Sequence, residues 1–172
     1  MKNNQGKWIK FNDSEDEWNN FILSSNGQFR QLYEWGDYKK ALGWRVLRLV
    51  FKDNGVIVSS VQILGRKKYF TFNAYIPGGI NGDLKHLNED FIEVVKSNFK
   101  AMFFYIRSDF VKEETLADIG RLQKHGWTKP SYPMSSGEYF ELDISLSNEE
   151  LLKMLNKNGV ITIKNLLNMK VY

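Results

Sequence analysis

The 172-residue sequence contains no cysteine and only three prolines. Without thiols, disulfides, thiolate metal sites and cysteine nucleophiles are all excluded, whatever the compartment. No run approaches the ~20 apolar residues of a membrane-spanning helix, and the N-terminal MKNNQGKWIKF lacks the apolar core of a signal peptide. These absences predict a cytoplasmic protein without stable membrane insertion. There is no G-x-x-x-x-G-K-[ST] and no G-x-G-x-x-G, so nothing supports a glycine-rich phosphate cradle at a helix start. The Q/R-x-x-G-x-G/A pattern with which acetyl-coenzyme A-dependent transferases hold a pyrophosphate is missing too. His86 and His125 are far apart, and neither has metal-ligand or triad spacing to Asp, Glu or Ser. Surface or capping places are expected for both, His125 lying just before Gly126, where a helix dipole favours an imidazolium. No metal and no bound cofactor are expected.

At 42% hydrophobic and 26% charged, the composition suits one globular domain that buries about two-thirds of its unfolded surface. The net charge of +4, from scattered Lys and Arg, suits an anionic partner such as phosphate or RNA without identifying one. Ser14 and Glu17 have capping-box spacing before Trp18, Phe21 and Ile22 on one helical face, so a first helix starts there. A second helix carries QLYEWGDYKKALGW. WRVLRLVFK then reads as a strand that stops at Asp53-Asn54-Gly55, a hairpin signal. VIVSSVQILG follows, turns at GRKK and returns as YFTFNAYIP, which makes an antiparallel meander. Beyond it come a helix in NEDFIEVVKSNF, a buried strand in AMFFYIRSDF, a helix in KEETLADIGRLQKHGW closed by Gly126, and a strand in EYFELDIS. A meander followed by α-β-α-β predicts an α/β sandwich with a mixed sheet. Ser147 and Glu150 then cap a helix through LLKMLNKN.

Four stretches in order resemble the Fem family of peptidoglycan bridge-forming enzymes: YEWGDYKKALGW at Tyr33 to Trp44, VQIL at Val61 to Leu64 followed by Arg66 and Lys67, YIPGGINGD at Tyr75 to Asp83, and LDISLSNEEL at Leu142 to Leu151. Gly126-Trp127 supplies a further G-[FW] after a helix. The resemblance implies a GNAT-like fold and transfer of an amino acid from aminoacyl-tRNA to the stem peptide of a nucleotide- or lipid-linked precursor. The sequence departs from the family at Gly78-Gly79-Ile80, where Arg or Lys and then Pro are usual, losing a charge and a rigid ring.

On a wheel of about 100° per residue, Trp35, Tyr38 and Leu42 share a face, Lys39 lies at its edge and Lys40 points away. The resemblance implies that Lys39 contacts precursor phosphates; a lysine snorkelling over apolar surface is the alternative. It further implies that Tyr75 and Asp83 line the precursor cleft, where Asp83 could orient or deprotonate the attacking amine. A turn-capping aspartate is the other account of Asp83. Trp35, Gly79 and Arg66 complete the substrate-binding set, with solvated charge the alternative for Arg66 and plain turn chemistry for Gly79. Trp8, Trp18, Trp44 and Trp127 are expected in the core or a cleft wall.

The expected domain is 1–146, with 147–172 the start of an inter-domain helix and a truncated or aberrant tail. Family members continue with K-x-R-Y-x-x-R-K-A and a second transferase domain, whereas this chain reads KNGVITIKN from Lys157 to Asn165. With suitable codons another frame can encode K-W-R-Y-N-x-K-K, so a frameshift is one expectation and a naturally short homologue the other. The competing functions are a GNAT-like N-acyltransferase of surface-polysaccharide synthesis using acyl-coenzyme A, and a non-catalytic precursor-binding domain.

Overall fold

β-Formers dominate 45–76, and there the chain lays down the three strands of the expected meander: β2 (Arg45–Asp53), β3 (Val56–Lys68) and β4 (Thr71–Ile76). The computed structural model describes residues 6–100, 103–109 and 116–129, with Ser147 and Glu149. Before the meander come β1 (Lys7–Lys10), α1 (Glu15–Ser24), a 3-10 turn at Phe29–Gln31 and α2 (Tyr33–Ala41). After it come a 3-10 turn at Leu84–His86, α3 (Glu89–Phe99), β5 (Phe103–Ser108) and α4 (Leu116–Lys124). The five strands form one sheet in the order β1-β2-β3-β4-β5, antiparallel except for the parallel β4–β5 pair. The chain divides into two compact units, Met1–Met134 and Ser135–Tyr172. The expected strand in EYFELDIS, the helix after Ser147, the 146/147 boundary and the tail lie outside the described residues, Ser147 and Glu149 apart.

Local signals account for most element ends. The Ser14 side chain accepts from the Glu17 amide and Asn88 from the Phe91 amide, so two helices start on side-chain caps. Asn54 and Gly55 both have positive φ, 49° and 84°, which the β2–β3 turn needs to match the twist of its strands. The expected turn at GRKK is displaced: Arg66 to Lys68 continue β3, and Tyr69-Phe70 make the turn. Pairing of Arg66, Lys67 and Lys68 with Asn73, Phe72 and Thr71 outweighs the low strand preference of lysine. Strand β1 escaped the sequence reading because four residues, two of them lysines, show no periodicity. Pairing of Trp8 with Phe51 and Ile9 with Val50 makes it a strand.

One face of the sheet carries Leu47, Leu49, Val61, Ile63, Phe72, Ala74 and Ile76, packed with Trp8 and with Phe91, Val95 and Phe99 of α3. The other buries Val50 with Phe11 and with Trp18 and Ile22 of α1. The two core indole N–H groups each find a carbonyl: Trp8 donates to His86 at 2.7 Å and Trp18 to Gln31 at 2.7 Å. Strand β5 is not buried on both faces as expected; its residues alternate exposed and half-buried, with Phe103 and Tyr105 outward.

His86 corrects another expectation, since it is buried rather than on the surface. Its ring stacks on Phe51 with centroids 4.0 Å apart, and Nδ1 lies 2.7 Å from the Ser59 hydroxyl. A histidine two residues before the α3 cap gave no hint that the preceding turn folds into the sheet.

Candidate active site

Helix α2 approaches the sheet through its glycine. Gly36 is the buried residue of α2, and a Cβ there would collide with Gln62 Oε1 and stand 2.6 Å from Arg48 Nη2. Arg48 reaches over this contact: Nε donates to Gln62 Oε1 at 2.8 Å, and Nη2 to the Tyr33 carbonyl at 2.7 Å and Asp37 Oδ1 at 3.0 Å. Gln31 completes the layer, donating to the Pro77 and Gln62 carbonyls and accepting from the Gln62 amide at 2.6 Å. These buried amides satisfy one another, so they fix α2 and the Phe29–Gln31 turn over β3 and the end of β4.

Because Gly36 faces the sheet, the aromatic face of α2 is displayed outward. Trp35 is half-buried against Phe29 with ring centroids 5.5 Å apart, while Tyr38 and Leu42 are largely exposed. The Lys39 ammonium lies 4.7 Å from the Trp35 centroid and 5.3 Å from that of Tyr38. Lys40 is exposed, as the wheel expects. The indole nitrogen of Trp35 is buried with no hydrogen-bond partner among the described residues.

A second cluster stands at the carboxyl end of the parallel β4–β5 pair, where open sheets commonly bind ligands. Tyr75 donates its hydroxyl to the Asp109 carboxylate. Arg30 Nη1 pairs with the same carboxylate at 3.3 Å and donates to the Tyr75 oxygen at 3.2 Å, while Nη2 donates to Gln28 Oε1 at 3.1 Å. Asp109 is buried, and a guanidinium and a phenol compensate its charge. The glycine loop follows at once: Gly78 and Gly79 have φ of 75° and 80°, and Gln28 packs so closely on Gly78 that a Cβ would stand 2.7 Å from its Oε1. A small hollow of about 90 Å³ opens between Ser25–Gln28 and Gly78–Gly82.

Of the expected site residues, Trp35, Lys39, Tyr75 and Gly79 are joined through one short turn: Phe29 holds Trp35, Arg30 holds Tyr75, and Gln28 covers the loop. Asp83 stands at the far end of that loop. Its carboxylate caps the Leu84–His86 turn at the Lys85 amide, 2.8 Å away, and pairs with Lys85 Nζ at 3.1 Å and Arg121 at 3.9 Å. Burial raises its pKa, but the hydrogen bonds from Lys85 and the Lys85 charge outweigh burial and hold the carboxyl below its ordinary value. Arg66 is exposed, its guanidinium 5.6 Å from the Trp44 ring at the opposite end of β3. Trp44 in turn meets α2, its amide donating to the Lys39 carbonyl at 3.1 Å.

Sequence reasoning missed Arg30, Gln28 and Asp109. Asp109 carried a usable signal, an acid closing the apolar run FFYIRS, which becomes a site only once β5 pairs parallel to β4. Arg30 gave no signal. Among the described residues no group of three His, Asp or Glu side chains could hold a metal ion, and no helix is long and apolar enough to cross a membrane.

No protein-family model matches the sequence, and no curated protein matches it. Solved structures do match, and what the chain shares with FemX is a mixed α/β fold. FemX superposes with a TM-score of 0.62 at 20% identity, over 93% of this chain and 44% of its own. Glucosamine-6-phosphate N-acetyltransferase from Arabidopsis thaliana gives a TM-score of 0.48 at 13% identity, over 79% of this chain and 99% of its own. The chain thus spans less than half the length of FemX, and at this identity the likeness is one of fold.

Proposed function

We propose that the chain is the GNAT-like domain of a Fem-type aminoacyltransferase, which moves an amino acid from aminoacyl-tRNA to a stem-peptide amine of a nucleotide- or lipid-linked peptidoglycan precursor. The observation that carries this reading is the outward face of α2. Gly36 turns Lys39 and Tyr38 away from the core, so an ammonium held over the Trp35 and Tyr38 rings is left on the outer face of the helix rather than in a packed interior. The motif resemblance and the FemX fold support it.

Lys39 neutralises precursor phosphate as a point charge. Tyr75, fixed by Arg30 and Asp109, forms the opposite wall, with Gly79 allowing close approach of the acceptor. The amine attacks the ester carbonyl, an amide forms and the ribose hydroxyl leaves. The ester is already activated, so positioning supplies most of the rate. Asp83, held ionised, suits orienting an ammonium better than taking its proton.

The test is to incubate the chain with charged tRNA or acyl-coenzyme A and a stem-peptide precursor, measuring transfer and precursor binding separately. Transfer from tRNA supports the reading, and precursor binding without transfer would point to the non-catalytic precursor-binding domain. Transfer only from coenzyme A would point to the polysaccharide N-acyltransferase. Neither transfer nor binding would overturn both.

A further inference from the structure

The end of the sheet opposite the glycine loop is basic and apolar at once. There β2 begins, β3 ends and β4 starts, with Arg45 opposite Gly65, Lys68 opposite Thr71 and Phe103 opposite Thr71. Helix α2 ends at the same edge, since Leu42 and Gly43 lead directly into Trp44 and β2. Helix α3 ends there too, because Arg45 donates to the Asn98 and Phe99 carbonyls at 3.1 and 3.0 Å. Lys40, Lys67, Lys68 and Lys100 are exposed at this end, and none forms an ion pair among the described residues. The acids nearest in the chain, Asp37 and Glu93, are already paired with Arg48 and Lys96.

Beyond these cations project apolar side chains that the fold does not need. Tyr69 and Phe70 form the β3–β4 turn and are 83% and 87% exposed; Phe103, paired with Thr71, is more than half exposed and Leu42, at the end of α2, is half exposed. Tyr69 holds a φ of 54°, a conformation turns ordinarily give to Gly or Asn. An aromatic pair therefore occupies an apex where local preference and solvation both oppose it.

We propose that this end of the sheet docks on an anionic lipid bilayer, with Tyr69 and Phe70 entering the headgroup layer and the four lysines meeting lipid phosphates. Aromatic rings with a polar edge settle at that depth, and lysines set just behind them reach the charged surface. The radial order, apolar tip first and ammonium groups behind, favours a bilayer over RNA. A basic hollow lined by Trp44, Arg66, Lys67, Lys68 and Asn73 does lie behind the tip, but Tyr69 and Phe70 stand beyond the last β3–β4 pair and outside its lining, and Leu42 has no π-face on which a base could stack. Attachment is peripheral and reversible, each lysine contributing roughly fivefold in affinity. The inference stands apart from acyl transfer, because docking requires neither donor nor acceptor.

The test is sedimentation of the full chain with vesicles of phosphatidylcholine alone or mixed with phosphatidylglycerol. The protein is expected to pellet with the mixed vesicles at low salt, stay in solution with phosphatidylcholine alone, and be released by high salt. Lys67→Glu with Lys68→Glu should weaken binding at least about 25-fold, and Tyr69→Ser with Phe70→Ser about tenfold. Should the hairpin variants misfold, Lys40→Glu with Lys100→Glu changes the two helix ends alone and is expected to match the other charge reversal. No binding to mixed vesicles, equal binding to both vesicle types, or retention of a single-stranded oligonucleotide instead of vesicles would overturn the proposal. So would wild-type binding by the helix-end variant.

Discussion

Nδ1 of His86 lies 2.7 Å from the Ser59 hydroxyl, whose oxygen also accepts the Asp83 amide at 3.2 Å. With a neutral imidazole, Ser59 donates to Nδ1 while accepting from Asp83, and both needs are met. Protonation makes Nδ1 a donor and removes the acceptor that Ser59 uses. Burial, then the Lys85 charge, lowers the His86 pKa below its ordinary 6.5, against smaller opposing effects of Asp83 and Asp53. A folded pKa below the unfolded one means the unfolded chain binds more protons, so this stability is full above the unfolded pKa and is lost as pH falls from there through the folded pKa. The urea midpoint is expected to drop between about pH 7 and pH 5. His86→Gln should flatten that slope, and an unchanged slope would remove His86 from the account.

How much of this was legible in the sequence depends on range. Caps at Ser14 and the Asn54-Gly55 turn act within four residues, and they stand as read. The mixed sheet followed from the order of apolar runs. His86 and β1 were misread or missed because their burial is set by partners at Phe51, Ser59 and Val50, far along the chain. Likewise the wheel separated Lys39 from Lys40 but not which face of α2 meets the sheet, because Gly36 has no side chain for periodicity to register.

Gly36→Ala tests that packing. In an exposed helix the change would stabilise by about 1 kcal/mol. Here the added methyl meets Gln62 and Arg48, which are held by their own hydrogen bonds and cannot yield without leaving buried partners unmet. A net destabilisation of about 1–3 kcal/mol is expected in chemical denaturation. A stabilised variant would show that α2 stands farther from the sheet.

The Arg30–Tyr75–Asp109 cluster predicts an order of effects. Asp109→Asn removes the charge that balances a half-buried guanidinium and should cost about 3 kcal/mol. Tyr75→Phe leaves the ion pair intact and should cost about 1 kcal/mol. Equilibrium unfolding that reversed this order would make the phenol the organising group.

Lys39 separates a ligand role from a packing role most cleanly. If it only covers rings, its loss removes a cation–π contact worth about 0.5–1 kcal/mol, and nothing else changes. If it meets phosphate, a charge-assisted contact is lost as well, and affinity for a nucleotide-linked precursor should fall about tenfold or more. Lys39→Arg distinguishes the two again, since a guanidinium stacks on Trp35 at least as well and keeps the charge, so it should retain most of the affinity. Lys40→Ala changes an exposed neighbour on the same turn and should leave both quantities alone. Calorimetric titration of the four proteins, with melting temperatures measured alongside, reads the difference. Equal affinity in Lys39→Ala and the wild type would assign Lys39 to the surface of α2 and leave the outward aromatic face without a charged ligand.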